Sequence, residues 1–134
     1  MYSFDSNYRV RYADVDQMGY MYYGNYAKLF EIGRVESLRN LGVRYKDLEE
    51  SGIWMPVYEN TSKYLEPAKY DDLLTIRCNL KELPKVRIIF ETEILNETGK
   101  VIHKGVTTLV FIKAESQKIT TCPPIIIEKL RSFF

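Results

Sequence analysis

The sequence predicts an α+β fold in which one early helix is wrapped by a long, curved antiparallel sheet. Three observations carry this. A helical apolar period runs from Asn25 to Leu41. Four stretches of strand character follow it, two of them alternating apolar and polar residues with period two. Turn signals separate the stretches, and no helix-length segment lies between them, which argues against βαβ units and a parallel doubly wound sheet.

In chain order, Tyr8 to Tyr12 alternates, with Tyr8, Val10 and Tyr12 on one face and Arg9 and Arg11 on the other. It reads as a short half-buried strand. Asp14 to Gly24 breaks the period and reads as a loop. In the helix, Tyr26, Leu29, Phe30, Gly33, Ser37 and Leu41 share a face. Asn25 is expected to cap its start and Gly42 to follow its end. Gly33 costs a mid-helix position roughly 1 kcal/mol against Ala, which implies close approach of a neighbouring strand. Glu31 and Arg34 have the i, i+3 spacing of a surface ion pair.

A second, short helix is expected at Tyr45 to Glu50, ended by Gly52. The strands then run Trp54 to Tyr64, Leu73 to Glu82, Val86 to Leu95 and Val101 to Lys113. Pro56 marks an edge or a bulge early in the first of them. Asn96-Glu97-Thr98-Gly99 is a hairpin signal, so the last two strands pair antiparallel. Ala114 to Lys118 is a turn and Ile119 to Cys122 a last short strand. Pro123-Pro124 opens a helix over Ile125 to Phe134.

The 134 residues suit a single domain, 1–134, that buries roughly 68% of its unfolded surface. Nineteen basic residues against eighteen acidic ones give a net charge of +1. No basic excess points to nucleic acid or to an anionic membrane. The N-terminus lacks the apolar core of a signal peptide, and no run is long enough to span a bilayer. Cys78 and Cys122 do not make a disulfide framework and read as small buried side chains. A reducing, cytoplasmic setting is the expectation. The lone histidine, His103, reads as a surface or sheet residue, and without a Cys/His pairing no metal site is expected.

The chemically loaded stretch is Tyr12 to Arg34. Asp14 and Asp16 stand just before Gly19, followed by Tyr20, Tyr22, Tyr23 and Tyr26 and then the helix. A helix start offers unpaired N–H groups that stabilise negative charge, and a carboxylate nearby can serve as base or nucleophile. Asp16 has two readings on these grounds: a reacting carboxylate, or a loop residue that caps local N–H groups. Asp14 is close enough in sequence for like charge to raise one of the two pKa values, though such a residue more often turns the loop through backbone bonds. Tyr20, Tyr22 and Trp54 suit either a core or an acyl pocket.

The run V-x-Y-x-D-x-D-x-x-G, followed by an aromatic residue and G-N-Y, resembles the 4-hydroxybenzoyl-CoA thioesterase-like family of hotdog-fold proteins. Val10, Tyr12, Asp14, Asp16, Gly19, Tyr23, Asn25, Tyr26, Glu31 and Arg34 carry the resemblance, which extends through the strands to about Cys122. It implies a hydrolase of acyl-CoA thioesters with Asp16 as nucleophile or general base, and with the Tyr23 and Gly24 amides polarising the carbonyl. Tyr23 stands where many of the family carry His, which leaves more of the work to Asp16 and the backbone. No cofactor is implied, because CoA arrives as part of the substrate. Its phosphates call for cations, for which Lys63, Lys85 and Arg87 are candidates. The resemblance also implies a homodimer or homotetramer with the site at the subunit interface. The rival readings are an acyl-carrier-protein thioesterase and a non-catalytic acyl-CoA-binding module.

Overall fold

A computed structural model describes residues 1–134. The strands are β1 (Tyr2–Arg9), β2 (Ile53–Trp54), β3 (Val57–Tyr64), β4 (Leu73–Leu80), β5 (Arg87–Leu95), β6 (Val101–Lys113) and β7 (Ile119–Thr120). The helices are α1 (Asn25–Asn40), α2 (Tyr45–Glu50) and α3 (Pro124–Leu130). All strand pairings are antiparallel. The order is β1-β4-β5-β6-β2, with β3 and β7 also paired to β6. No helix is long and apolar enough to cross a membrane.

The sixteen-residue α1 packs on β1, β4 and β5 and buries Tyr26, Leu29, Phe30, Gly33, Arg34, Ser37 and Leu38. Gly33 sits where a Cβ would come within 2.7 Å of Ile76 Cγ2, so its missing side chain lets helix and strand approach. One apolar cluster joins Tyr26, Leu29 and Phe30 to Val10, Ile76, Ile94 and Ile102. The other joins Leu38 to Cys78, Leu80, Phe90, Phe111, Ile126 and Leu130. Fully burying one such Leu, Ile or Phe stabilises the fold by about 1.5–3 kcal/mol. The outer sheet face is polar, crossed by pairs such as Arg77–Asp5 at 3.0 Å and Lys81–Glu91 at 3.2 Å.

Several expectations need correction. β1 spans Tyr2–Arg9 instead of Tyr8–Tyr12, because Tyr2 through Arg9 pair with Leu80 through Leu73 of β4. Tyr12 lies past its end in a 3-10 turn, Tyr12–Asp14, stacked on Tyr70 at 3.9 Å. The stretch from Trp54 divides at Met55-Pro56 into β2 and β3, and a bulge lies between Val57 and Glu59. Asn25 does not cap α1. Gly24 holds the N-cap position, and Asn25 is the first helical residue. Arg34 makes no surface pair with Glu31; it is buried, and its charge lies by the Tyr45 hydroxyl. Burial pushes that phenol up to about 12, against the lowering effect of Arg34. The C-terminal helix stops at Leu130 and tightens into a 3-10 turn over Arg131–Phe133.

Of the two expectations for His103, surface or sheet, the sheet one holds. It is fully buried in β6 and stacks on the Tyr26 ring at 3.8 Å. Its Nε2 lies 3.2 Å from Ser62 Oγ, while Nδ1 has no partner. Burial holds its pKa down at about 4.

Candidate active site

The loop between β1 and α1 folds back on itself. Val15 bridges to Met21, and the Asp16 amide donates to the Tyr20 carbonyl at 2.8 Å. The reversal is tight because Gly19, at φ +81°, takes a left-handed conformation and donates to the Asp16 carbonyl at 3.0 Å. Asp16 Oδ1 accepts from the Met18 amide at 2.9 Å and the Tyr20 amide at 3.2 Å. The carboxylate therefore does cap its own turn. Its Oδ2 accepts from no group in the chain, and the residue is only partly buried.

Asp14 behaves differently. It is 4% exposed and makes three contacts through its carboxylate. Oδ2 accepts from the Tyr8 hydroxyl at 2.7 Å and the Arg11 amide at 2.9 Å, and Oδ1 from Lys28 Nζ at 2.9 Å. Burial opposes its charge, but the Arg11 amide, the Tyr8 hydroxyl and Lys28 outweigh it and hold the pKa below the usual carboxylate value. The like-charge increase considered from sequence does not govern Asp14. Its backbone carbonyl also accepts twice, from the Tyr22 amide and from Asn25 Nδ2, each at 2.8 Å.

The chain then turns from Tyr22 to Asn25, whose amide donates to the Tyr22 carbonyl at 2.9 Å. Tyr23 and Gly24 lie inside this turn, and neither amide has an acceptor within the chain. Both residues are exposed. Two unpaired donors at the start of a sixteen-residue helix form a positive end able to meet developing negative charge.

A cleft of about 290 Å³ brings Asp16, Tyr20 and Tyr23 together with Met18, Met21, Tyr64, Leu65, Glu66 and Pro67. Its wall is mostly apolar. Tyr22 packs against Tyr23 at 4.7 Å between ring centroids but does not line the cleft. Trp54, Lys63, Lys85 and Arg87 are not brought to it either. Trp54, in β2, pairs with Ile112 of β6. Lys63 faces Lys104 across β3 and β6. The Lys85 carbonyl accepts from Cys122, and the Arg87 guanidinium sits over the Tyr58 ring at 4.9 Å. The sequence reading missed the wall from Tyr64 to Pro67. Its signal was Leu65, an apolar residue left over between the end of a strand and a proline.

A carboxylate with one free oxygen, two free main-chain donors and an apolar wall defines a candidate hydrolase of activated acyl groups. The family model of the thioesterase-like superfamily matches residues 10–130, and the chain belongs to that superfamily. It is 29% identical over 109 residues to a putative acyl-CoA thioesterase of Bacillus subtilis, YneP, covering 81% of this chain and 79% of that one. Against the acyl-CoA thioesterase YbgC of Haemophilus influenzae it is 34% identical over 91 residues, 67% of each chain. A solved structure, a DHNA-CoA thioesterase from Staphylococcus aureus, matches with a TM-score of 0.93 at 29% identity, covering 99% of this chain and 91% of that one. These likenesses agree with the hotdog fold that the sequence motif implied.

Proposed function

We propose that this chain hydrolyses acyl-CoA thioesters to the free acid and CoA at the cleft between the Asp16 turn and the start of α1. The observation that carries the reading is that Asp16 and Tyr23 share this cleft, while the Tyr23 and Gly24 amides are unpaired. Asp16 is the reacting carboxylate. It attacks the thioester carbon through Oδ2, expels the CoA thiolate and leaves an anhydride for water to open, or it takes the proton from a water that attacks directly. In both routes negative charge gathers on the carbonyl oxygen. The Tyr23 and Gly24 amides meet it there, each lowering the barrier by about 3–4 kcal/mol. The acyl group lies along Tyr20, Tyr64 and the two methionines. The chemistry runs without a metal or redox cofactor.

The full hotdog arrangement, with the sheet curled around α1 as its central helix, belongs to this reading. So does a homodimer that pairs further into a tetramer. β3 supports it: the strand bonds to the sheet through β6 alone and leaves Val57, Tyr58 and Tyr64 exposed. A second copy there brings new residues to the cleft, because Tyr64 belongs to both. It is the natural source of contacts for Tyr22, Trp54, Lys63, Lys85 and Arg87 with the substrate. A cytoplasmic setting suits the two buried, unpaired thiols.

The test is a hydrolysis screen over short, long and aryl CoA thioesters and an acyl-carrier-protein thioester. Turnover of a CoA thioester supports the reading. Turnover of the carrier-protein thioester alone assigns the site to that substrate, and turnover of none refutes it.

A further inference from the structure

One polar side chain near the site is left without a role by the chemistry above. Asn25 donates its Nδ2 to the Asp14 carbonyl at 2.8 Å, and the same oxygen accepts the Tyr22 amide at 2.8 Å. Tyr22 and Asn25 are the two ends of one four-residue turn, closed by the Asn25 amide on the Tyr22 carbonyl at 2.9 Å. Both ends are therefore tied to a single atom. The two residues between them are Tyr23 and Gly24, whose amides stay unpaired.

That atom is itself held firmly. The Asp14 side chain is fixed by the Tyr8 hydroxyl from β1, the Arg11 amide and Lys28 from α1. Three donors, from β1, the loop and α1, thus fix the residue on which the turn stands. α1 carries no side-chain cap, and the two bonds to the Asp14 carbonyl are what tie this turn to the preceding loop.

We propose that Asn25 is a positioning residue for thioester hydrolysis. Its amide group locks the Tyr22–Asn25 turn onto the Asp14 carbonyl, so that the Tyr23 and Gly24 N–H groups are already aimed when the substrate arrives. Preorganised donors stabilise an oxyanion because they need not be reoriented during the reaction. A turn free to rock loses that advantage in the chemical step, while the apolar wall that binds the acyl group stays as it was. This inference rests on the reading of the two amides as oxyanion donors.

The test uses full-length Asn25→Ala and Asn25→Asp, the second having nearly the same shape but no side-chain donor. Both are assayed beside wild type and Asp16→Asn, with the folded fraction followed by circular dichroism. The expected result is a fall in kcat of about tenfold to a hundredfold in both Asn25 variants, at a KM within about threefold of wild type. The loss persists at temperatures where every variant is fully folded. A wild-type kcat in the Asn25 variants overturns the inference, as does a loss that vanishes after correction for folded protein. If Asp16→Asn is inactive while the Asn25 variants keep full kcat, only the positioning role fails. A fully active Asp16→Asn refutes the site itself and this inference with it.

Discussion

Lys28 Nζ stands 2.9 Å from Asp14 Oδ1 and ties the first turn of α1 to the loop that carries Asp16. The pair is asymmetric: the Asp14 side chain is 5% exposed and that of Lys28 45%. The lysine can recover solvation when its partner is lost, but the carboxylate cannot. Lys28→Met should therefore cost more stability than a surface pair, about 1–3 kcal/mol, because it leaves a buried charge with fewer donors. The depressed Asp14 pKa places this contribution above the unfolded carboxylate value, to be lost as pH falls through the lower folded value. Urea unfolding of Lys28→Met and wild type at pH 7 measures the difference, and equal midpoints would show the pair to be idle.

His103 sets a second pH window. Its pKa falls from about 6.5 in the unfolded chain to about 4 in the fold, where burial favours the neutral ring. Between those values the unfolded state binds more protons, so stability rises with pH and levels off above 6.5. The full span is worth up to about 3 kcal/mol. His103→Phe retains an aromatic ring against Tyr26 and should flatten the rise between pH 4 and 6.5. An unchanged slope in that variant would assign the effect to other groups.

Gly33→Ala pits local propensity against packing. In an isolated helix Ala is favoured by about 1 kcal/mol. Here the added methyl meets Ile76 Cγ2 at 2.7 Å, and the sheet must yield. We expect a net destabilisation of about 1–3 kcal/mol. A raised melting temperature would mean that the helix and β4 have room to separate.

The two thiols should be slow to react in the native protein. Burial drives Cys78 up to about 11 and Cys122 up to about 12, so almost no thiolate exists at pH 7. Labelling with a disulfide reagent should follow unfolding, and rapid modification of folded protein would contradict the packing described here.

What could be read from the residues follows from which forces are local. β6 and α2 have their expected bounds because local turn signals delimit them: Asn96–Gly99 and Ala114–Lys118 flank β6, and Gly52 follows α2. Most of β1 escaped because Asp5-Ser6-Asn7 has turn composition, and only its pairing with Ile76, Thr75 and neighbouring residues of β4 makes it a strand. The placement of His103 was hidden for a similar reason, since its stacking partner Tyr26 is distant in sequence. In the site, the Asp16 turn and the start of α1 were visible as a motif. Asn25 has the look of a cap because a side chain that donates to Asp14, eleven residues back, looks the same in sequence as one that accepts from the next turn. The Tyr64–Pro67 wall needed the fold to bring it opposite Tyr20.

The most direct measurement is the turnover of Asp16→Asn. The amide retains an oxygen for the Met18 and Tyr20 N–H groups, so the turn and the melting temperature should hardly change. What it loses is the charge and the free nucleophilic oxygen. We expect kcat on a CoA thioester to fall by about 10²- to 10⁴-fold, whereas turnover within about twofold of wild type, too small a change for loss of the reacting group, would contradict a reaction carried by this carboxylate.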